Sequence, residues 1–309
     1  GLSSSESKNP LKETFKELVG LTPFGLVGSD NFKKELSINI IFTVLIFLAS
    51  YYLYVLTGDF LQWTAFGIGV YVICNWIHGL KNRDPVAFLL IFKSKALLLG
   101  LLSFPFITFV TYALGAFGPS FYIRNFSMTA TEVGIIYGLI TVFGSMIGVI
   151  CGGILGDKLR ETYVNGKLYL IMASAVLTGV TAIGFIHSEN LVASFTWKFV
   201  YHIASTAWLG CAASTVTELV LPRLRAVASA FFILMLSMIG LALGPYLTGM
   251  VSDIYINSGL LPGPALKNAM TLTLVVLVLP FGLLAVACKY LKNDEAEIYE
   301  KARSLGEEI

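Results

Sequence analysis

Charged residues punctuate the chain unevenly and leave eight uncharged stretches of 19 or more residues: 36–58, 60–80, 96–123, 133–156, 168–188, 199–217, 226–252 and 268–288. Each is dominated by apolar side chains. About 20 such residues in a helix, at 1.5 Å per residue, reach across a bilayer core of about 30 Å. The pattern therefore predicts eight transmembrane helices. A β-barrel would alternate apolar and polar positions over segments of about 10 residues, and runs such as 38–48 or 272–279 do not alternate. The expected fold class is an all-α membrane protein.

The segments outside these stretches carry the orientation signal. Counted from the amino end, the odd-numbered ones hold 18 of the 21 Lys and Arg residues and the even-numbered ones 3. Cytoplasmic loops retain positive residues, so both termini are expected in the cytoplasm of a plasma or bacterial inner membrane. No short apolar run with a small-residue cleavage site precedes residue 36, so a signal peptide is not expected. The chain opens with Gly1 and a Ser-rich polar run, which suits the interior of a longer protein or a processed product.

Composition narrows the classes further. Charged residues make up 13% of the chain, against about 25% in an average soluble domain. A net charge of +2 without a basic patch gives no reason to expect nucleic acid. Cys74, Cys151, Cys211 and Cys288 all fall inside apolar stretches with no CxxC pair, and read as small packed hydrophobes, with no metal or cofactor implied.

Five regions follow along the chain. Residues 1–35 form a cytoplasmic linker in which Leu11, Phe15, Leu18 and Val19 have the spacing of a short amphipathic helix, lying on the membrane surface or on other protein. Residues 36–80 form a hairpin turning at Gly58 and Asp59. Residues 81–95 are an interfacial connector, because their apolar run of seven residues is too short to span. Residues 96–290 hold six membrane segments, and 291–309 are a cytoplasmic tail. Within the third stretch, Pro105 and Gly118-Pro119 remove backbone donors; in a membrane such breaks require partners from neighbours or a wet cavity. This segment is either a moving, cavity-lining element or a static kink. The fourth stretch spaces Gly134/138, Gly144/148 and Gly148/152 four apart, a face that lets another helix approach closely.

Two runs carry a resemblance. Residues 153–160 read GILGDKLR, which is similar to the G-x-x-x-D-[RK]-x-G-[RK] motif that the major facilitator superfamily places between the second and third helices of each six-helix half. Gly153, Asp157 and Lys158 match; Arg160 stands in place of a glycine and Glu161 in place of a basic residue. From Glu218 the chain reads ELVLPRLRAVASAFFILMLSMIGLALGPYLTGMVSD, which resembles the tenth-to-eleventh helix region of that superfamily. Its G-P-x-x-x-G-x-x-S-D ending, with Gly244, Pro245 and Gly249, is similar to Spinster-like members. The third stretch, with Tyr112, Gly115, Pro119 and Arg124, resembles a seventh helix of the group. The resemblance implies that the last six segments correspond to the carboxyl-terminal six-helix bundle. The first hairpin would then be an insertion between halves, and an amino-terminal six-helix half would be missing from this chain.

Candidate residues divide into three groups. A cytoplasmic gate would involve Gly153, Asp157, Lys158, Arg160, Glu218 and Arg225, with Asp157 facing the start of the seventh segment, where the helix dipole favours a carboxylate. Helix packing and hinging would use Pro105, Gly118, Pro119, Gly244, Pro245 and Gly249. Cavity candidates are Phe109, Tyr112, Tyr137, Lys198, His202 and Trp208. Lys198 and His202 are four apart and share a face. Lys198 lies near the outer surface, where snorkelling is the commoner fate; His202 is deeper, facing a cavity or packed as a satisfied histidine. His78 and His187 sit at helix ends, where interfacial placement explains them.

The function implied is secondary transport of a small organic or amphipathic solute by alternating access, with a site near the midplane and a coupling ion left open. The last six segments hold no acidic residue in their uncharged cores, so they offer no obvious proton carrier. The alternatives are a non-transporting assembly subunit and an intramembrane enzyme. Against the enzyme, His78 and Asp84 are one residue too far apart for H-x-x-x-x-D, and HExxH, GxGD and GxSxG are absent.

Overall fold

The computed structural model describes residues 32–304. The amphipathic pattern over 10–19 and the last five residues lie outside them. The described residues are helical almost throughout: α1 Phe32–Thr57, α2 Phe60–Arg83, α3 Pro85–Lys93, α4 Lys95–Phe126, α5 Ala130–Thr162, α6 Gly166–His187, α7 Leu191–Thr206, α8 Trp208–Glu218, α9 Arg225–Met235, α10 Ala242–Asn257, α11 Pro262–Thr273, α12 Val278–Ala287 and α13 Leu291–Ser304. A π-helical segment, Leu236–Leu241, joins α9 to α10, and a 3₁₀ turn, Leu274–Leu277, joins α11 to α12. The protein is an integral, multi-pass membrane protein. Among the described residues, seven helical segments are long and apolar enough to cross a bilayer. The expected eighth, 199–217, is present as α7 and α8, divided at Ala207.

The chain divides into two compact units, with the boundary between Leu89 and Leu90 inside α3. In the first unit, α1 and α2 pack as a hairpin closed by Gly58 at φ 81°, a left-handed conformation that favours glycine. Most of α1 presents apolar side chains outward, with Phe47 66% and Tyr52 63% exposed. Its buried face is polar: Asn39 Nδ2 donates to Asn75 Oδ1 at 2.7 Å, and the Tyr71 hydroxyl donates to Asn39 Oδ1 at 3.1 Å. One turn nearer the start of α1, Glu35 pairs with His78 and accepts from Asn82 Nδ2 at 2.7 Å. His78 Nε2 thus meets a carboxylate within the hairpin, a more specific placement than the interfacial one its sequence position suggests.

In the second unit α4 is the central helix. It packs against α10, α11, α12 and the π segment, and two thirds of its most apolar window (67%) is buried, against none of α1's. Its start is fixed by Ser94, whose hydroxyl accepts from Leu97 N, and by Asp294 of α13, which accepts from Ser94 Oγ and Ala96 N. These bonds satisfy donors that every helix amino terminus leaves open. After α4, Ser127 turns the chain at φ 53°, and Thr129 with Glu132 forms a capping box that starts α5.

The glycine face of α5 is real over its second half. A Cβ at Gly144 would lie 2.8 Å from His202 Cβ, and Cβ atoms at Gly148 and Gly152 would collide with the carbonyls of Ile203 and Ala207. Gly134 and Gly138 differ, since a Cβ at either would meet open space. The stripe therefore serves the crossing of α5 with α7 and α8, at the place where the sixth membrane segment is interrupted. The Thr206 hydroxyl lies 3.2 Å from Ser145 O across this crossing and donates to His202 O of its own helix at 2.8 Å.

Candidate functional site

A polar stripe runs along α7 at four-residue spacing: Ser194, Lys198, His202 and Thr206. This helix begins at Leu191, where the Asn190 side chain accepts from Val192 N and Ala193 N. That start puts Lys198 about two turns inside the helix. Lys198 is therefore not the snorkelling residue near the outer surface that division of the sequence at charges suggests. It is fully buried, at 0% exposure.

Its surroundings are aromatic. Lys198 Nζ lies 4.2 Å from the Phe185 ring centroid, 4.3 Å from Tyr201 and 5.0 Å from Tyr137, contributed by α6, α7 and α5. No hydrogen-bond acceptor reaches it among the described residues. Ring faces stabilise an ammonium by about 0.5–2 kcal/mol each. Removing such an ion from water costs several kcal/mol, which the rings offset only in part. The remainder of the stripe is satisfied. The Ser194 hydroxyl donates to Tyr122 Oη (3.1 Å) and Phe185 O (2.8 Å), and His202 Nε2 lies 3.1 Å from Thr141 Oγ1.

Tyr137 connects this stripe to the break in α4. Pro119 has no N–H, so the Gly115 carbonyl four residues earlier loses its helical donor. The Tyr137 hydroxyl donates to Gly115 O at 3.3 Å, with Leu114 O at 3.4 Å. Gly118 makes this approach possible, because a Cβ there would collide with the Tyr137 hydroxyl. The partner that lipid cannot supply to a freed carbonyl comes from α5. The same ring stands edge-on to His202 and faces Lys198.

Three other cavity candidates are placed differently. Trp208 is 1% exposed, stacked on Phe104 and bonded through Nε1 to Ser205 O, so it is core. Phe109 is 7% exposed, and its backbone meets α10 where Gly244 leaves room for the Phe109 carbonyl. Tyr112 is exposed. Gly249 faces Phe117, so the glycines of the G-P-x-x-x-G run serve the packing of α10 on α4. Beside the stripe, an open groove of about 390 Å³ lies between α5 and α7, lined by Ile140, Val192, Phe195, Thr196 and Phe199.

At the end where α5 finishes and α6 starts, charges gather. The expected facing of Asp157 on the start of α9 is replaced by a different arrangement. Lys167 is the hub: it is buried, bonds Glu218, and lies 3.9 Å from the largely exposed Asp157. Arg225 instead donates Nε to Thr217 O at 3.2 Å, which closes the carboxyl end of α8. Arg160 pairs with Glu295 of α13 at 2.6 Å and also donates to Val164 O. Gly153 faces open space, whereas Gly156 admits Cys211. Lys167 and Glu295 are members of this cluster that no motif singles out; they become visible only when helices distant in sequence meet.

No protein-family profile matches the chain. It is similar to an MFS-type efflux pump of Mycolicibacterium smegmatis, with 30% identity over 201 residues, covering 64% of this chain and 45% of the pump. It is also similar to the protein spinster of Drosophila melanogaster, 26% identical over 173 residues, covering 52% of this chain and 28% of that protein. Among solved structures it resembles a bacterial homologue of the human lysosomal transporter Spinster. For the inward-facing, occupied conformation the TM-score is 0.52 at 22% identity, covering 78% of this chain and 58% of that one. For the unoccupied conformation it is 0.52 at 21%. These structures establish a shared fold. The chain spans less than half the length of the curated relatives it matches.

Proposed function

Proceeding from a chain that is a Spinster-like relative of the major facilitator superfamily transporters, we propose that it forms the carboxyl-terminal bundle of a secondary transporter working by alternating access. The transporting unit would include a further six-helix half, with the solute path between the two. Both termini of this chain would face the cytoplasm, in a plasma or bacterial inner membrane, because 18 of its 21 basic residues fall in the segments on that side. The solute would be a small organic or amphipathic molecule. A catalytic role is not proposed.

The observation that carries the reading beyond the family relationship is the α7 stripe. Polar and ionisable side chains inside a membrane helix are costly, and in transporters such groups face substrate or ion paths. Here one helix places four of them in line, beside a groove and against the broken helix α4. Lys198 and His202 are the cavity residues we assign, with Tyr137 as the element that ties them to α4. At the cytoplasmic end, Lys167 with Glu218 and Asp157, Arg160 with Glu295, and Arg225 at the end of α8 would hold the inner side of the bundle, with Lys158 beside them in sequence.

The test is uptake by the full-length protein in proteoliposomes, first with a panel of lipophilic and amphipathic solutes, then with or without an imposed ion gradient. Saturable, gradient-sensitive uptake supports the transporter. Correctly inserted protein that moves no solute under any gradient points to an assembly subunit instead.

A further inference from the structure

Lys198 has a recognition group's chemistry and no partner within the bundle. We propose that its amine is the anchor of an anion site in the α5–α6–α7 interior, a site that opens beside Tyr137 and is entered from the groove between α5 and α7. This rests on the transporter reading for its purpose, and on geometry for its existence.

Four observations support it. The amine is wholly buried and makes no hydrogen bond, although an ammonium has three donors. No carboxylate lies within ion-pair distance among the described residues, so the bundle supplies no counter-charge. The walls, Phe185, Tyr201 and Tyr137, offer ring faces to the amine and no anionic group. One wall is tied to the break in α4: the Tyr137 hydroxyl reaches the Gly115 and Leu114 carbonyls over the gap that Gly118 provides, and its ring stands edge-on to Tyr122. If the α4 break shifts, the Tyr137 ring is released and the amine is uncovered toward His202 and Thr141. Phe195 and Phe199 line the groove on the flank of the same helix, so an anionic group carried on an apolar body would find surface for both parts.

An anion could arrive as a charged group on the transported solute or as a free inorganic ion. The chemistry at Lys198 is the same, and the experiment separates the sources. The full-length protein is treated with formaldehyde and cyanoborohydride, and methylation of Lys198 is followed by peptide mass spectrometry. Slow modification is expected in the wild type, with a several-fold increase in Tyr137→Phe. Slowing by chloride or inorganic phosphate identifies a free ion; slowing by decanoate alone identifies a solute-borne group. Decanol and decyltrimethylammonium are the controls. Equal slowing by these controls, or a Lys198 inert in both proteins, overturns the proposal. In parallel, the effective anion should raise the melting temperature of the wild type and Lys198→Arg, and leave Lys198→Met unmoved. An undiminished rise in Lys198→Met also overturns it. Both readouts are independent of transport, so a protein that moves no solute but still shows anion protection refutes the transporter reading and leaves the site standing.

Discussion

The two units treat buried polar groups in opposite ways. In the hairpin, Asn39, Asn75 and Tyr71 use one another, and Glu35 takes His78 Nε2 and Asn82, so each polar side chain named on the α1–α2 seam has a partner across it, although His78 Nδ1 is left without one. In the bundle, the α7 stripe is paired at Ser194, His202 and Thr206 and open at Lys198. Both arrangements put polar side chains where lipid or protein excludes water. The difference is what each is organised for: a closed network fixes helix register, whereas an open donor in an otherwise completed row holds a place for something else.

That contrast can be broken most directly at Asn75. Asn75→Leu should leave Asn39 with an unmet buried amide and lower stability by about 1–3 kcal/mol, measured by thermal unfolding in detergent. The double variant Asn39→Leu/Asn75→Leu should recover much of that loss. No loss in the single variant would mean that the hairpin network is not structural. The next effect in size is at Tyr137. Tyr137→Phe strips the donor from the Gly115 carbonyl and should also cost about 1–3 kcal/mol. Adding Pro119→Ala restores the helical N–H, so the double variant should be more stable than Tyr137→Phe alone. Strict additivity would show that the two groups are not coupled.

Lys198→Met should go the other way. Removing an unpartnered polar head while keeping the apolar stem is expected to raise the melting temperature, in contrast to Asn75→Leu. A fall of similar size would mean that the amine has a partner inside the protein. The smallest effect is expected from Glu295→Gln, since the Arg160–Glu295 pair is partly exposed and such pairs contribute about 0–1 kcal/mol. It serves as the baseline for an ordinary surface charge.

Most of the helical architecture could be read from the chain because bilayer thickness imposes a length on every span, and the uncharged runs are that long. What escaped did so for identifiable reasons. Lys198 looks like a loop residue only because a charge was taken as the edge of a span; the edge is set by Asn190, eight residues earlier. The interruption at Ala207 has no local signature, since alanine is the best helix former; the cause is the α5 surface that α7 and α8 cross. Pro119 announced a carbonyl in need of a donor, but the sequence could not say that Tyr137, 18 positions later and on another helix, supplies it. Likewise Asp157 sits in a recognisable run, while its neighbour Lys167 comes from the start of the next helix.

The π-helical turn at Leu236–Leu241, where Ala242 N reaches back five residues to Ser237 O, has a consequence for how this segment is numbered in space. One surplus residue advances the helix by about 100°. The faces of α9 and α10 are therefore out of phase, and a single helical wheel drawn over 225–257 would assign half of its positions to the wrong side. Gly240 and Gly244, four apart, both turn toward α4, where Thr108 and Phe109 fill the space they leave. Scanning substitutions across this stretch should show two periodic patterns with a jump between them. Deleting one residue inside the turn would convert it to an ordinary helix and swing α10, with Thr248 and Ser252, away from the neighbours that now bury them.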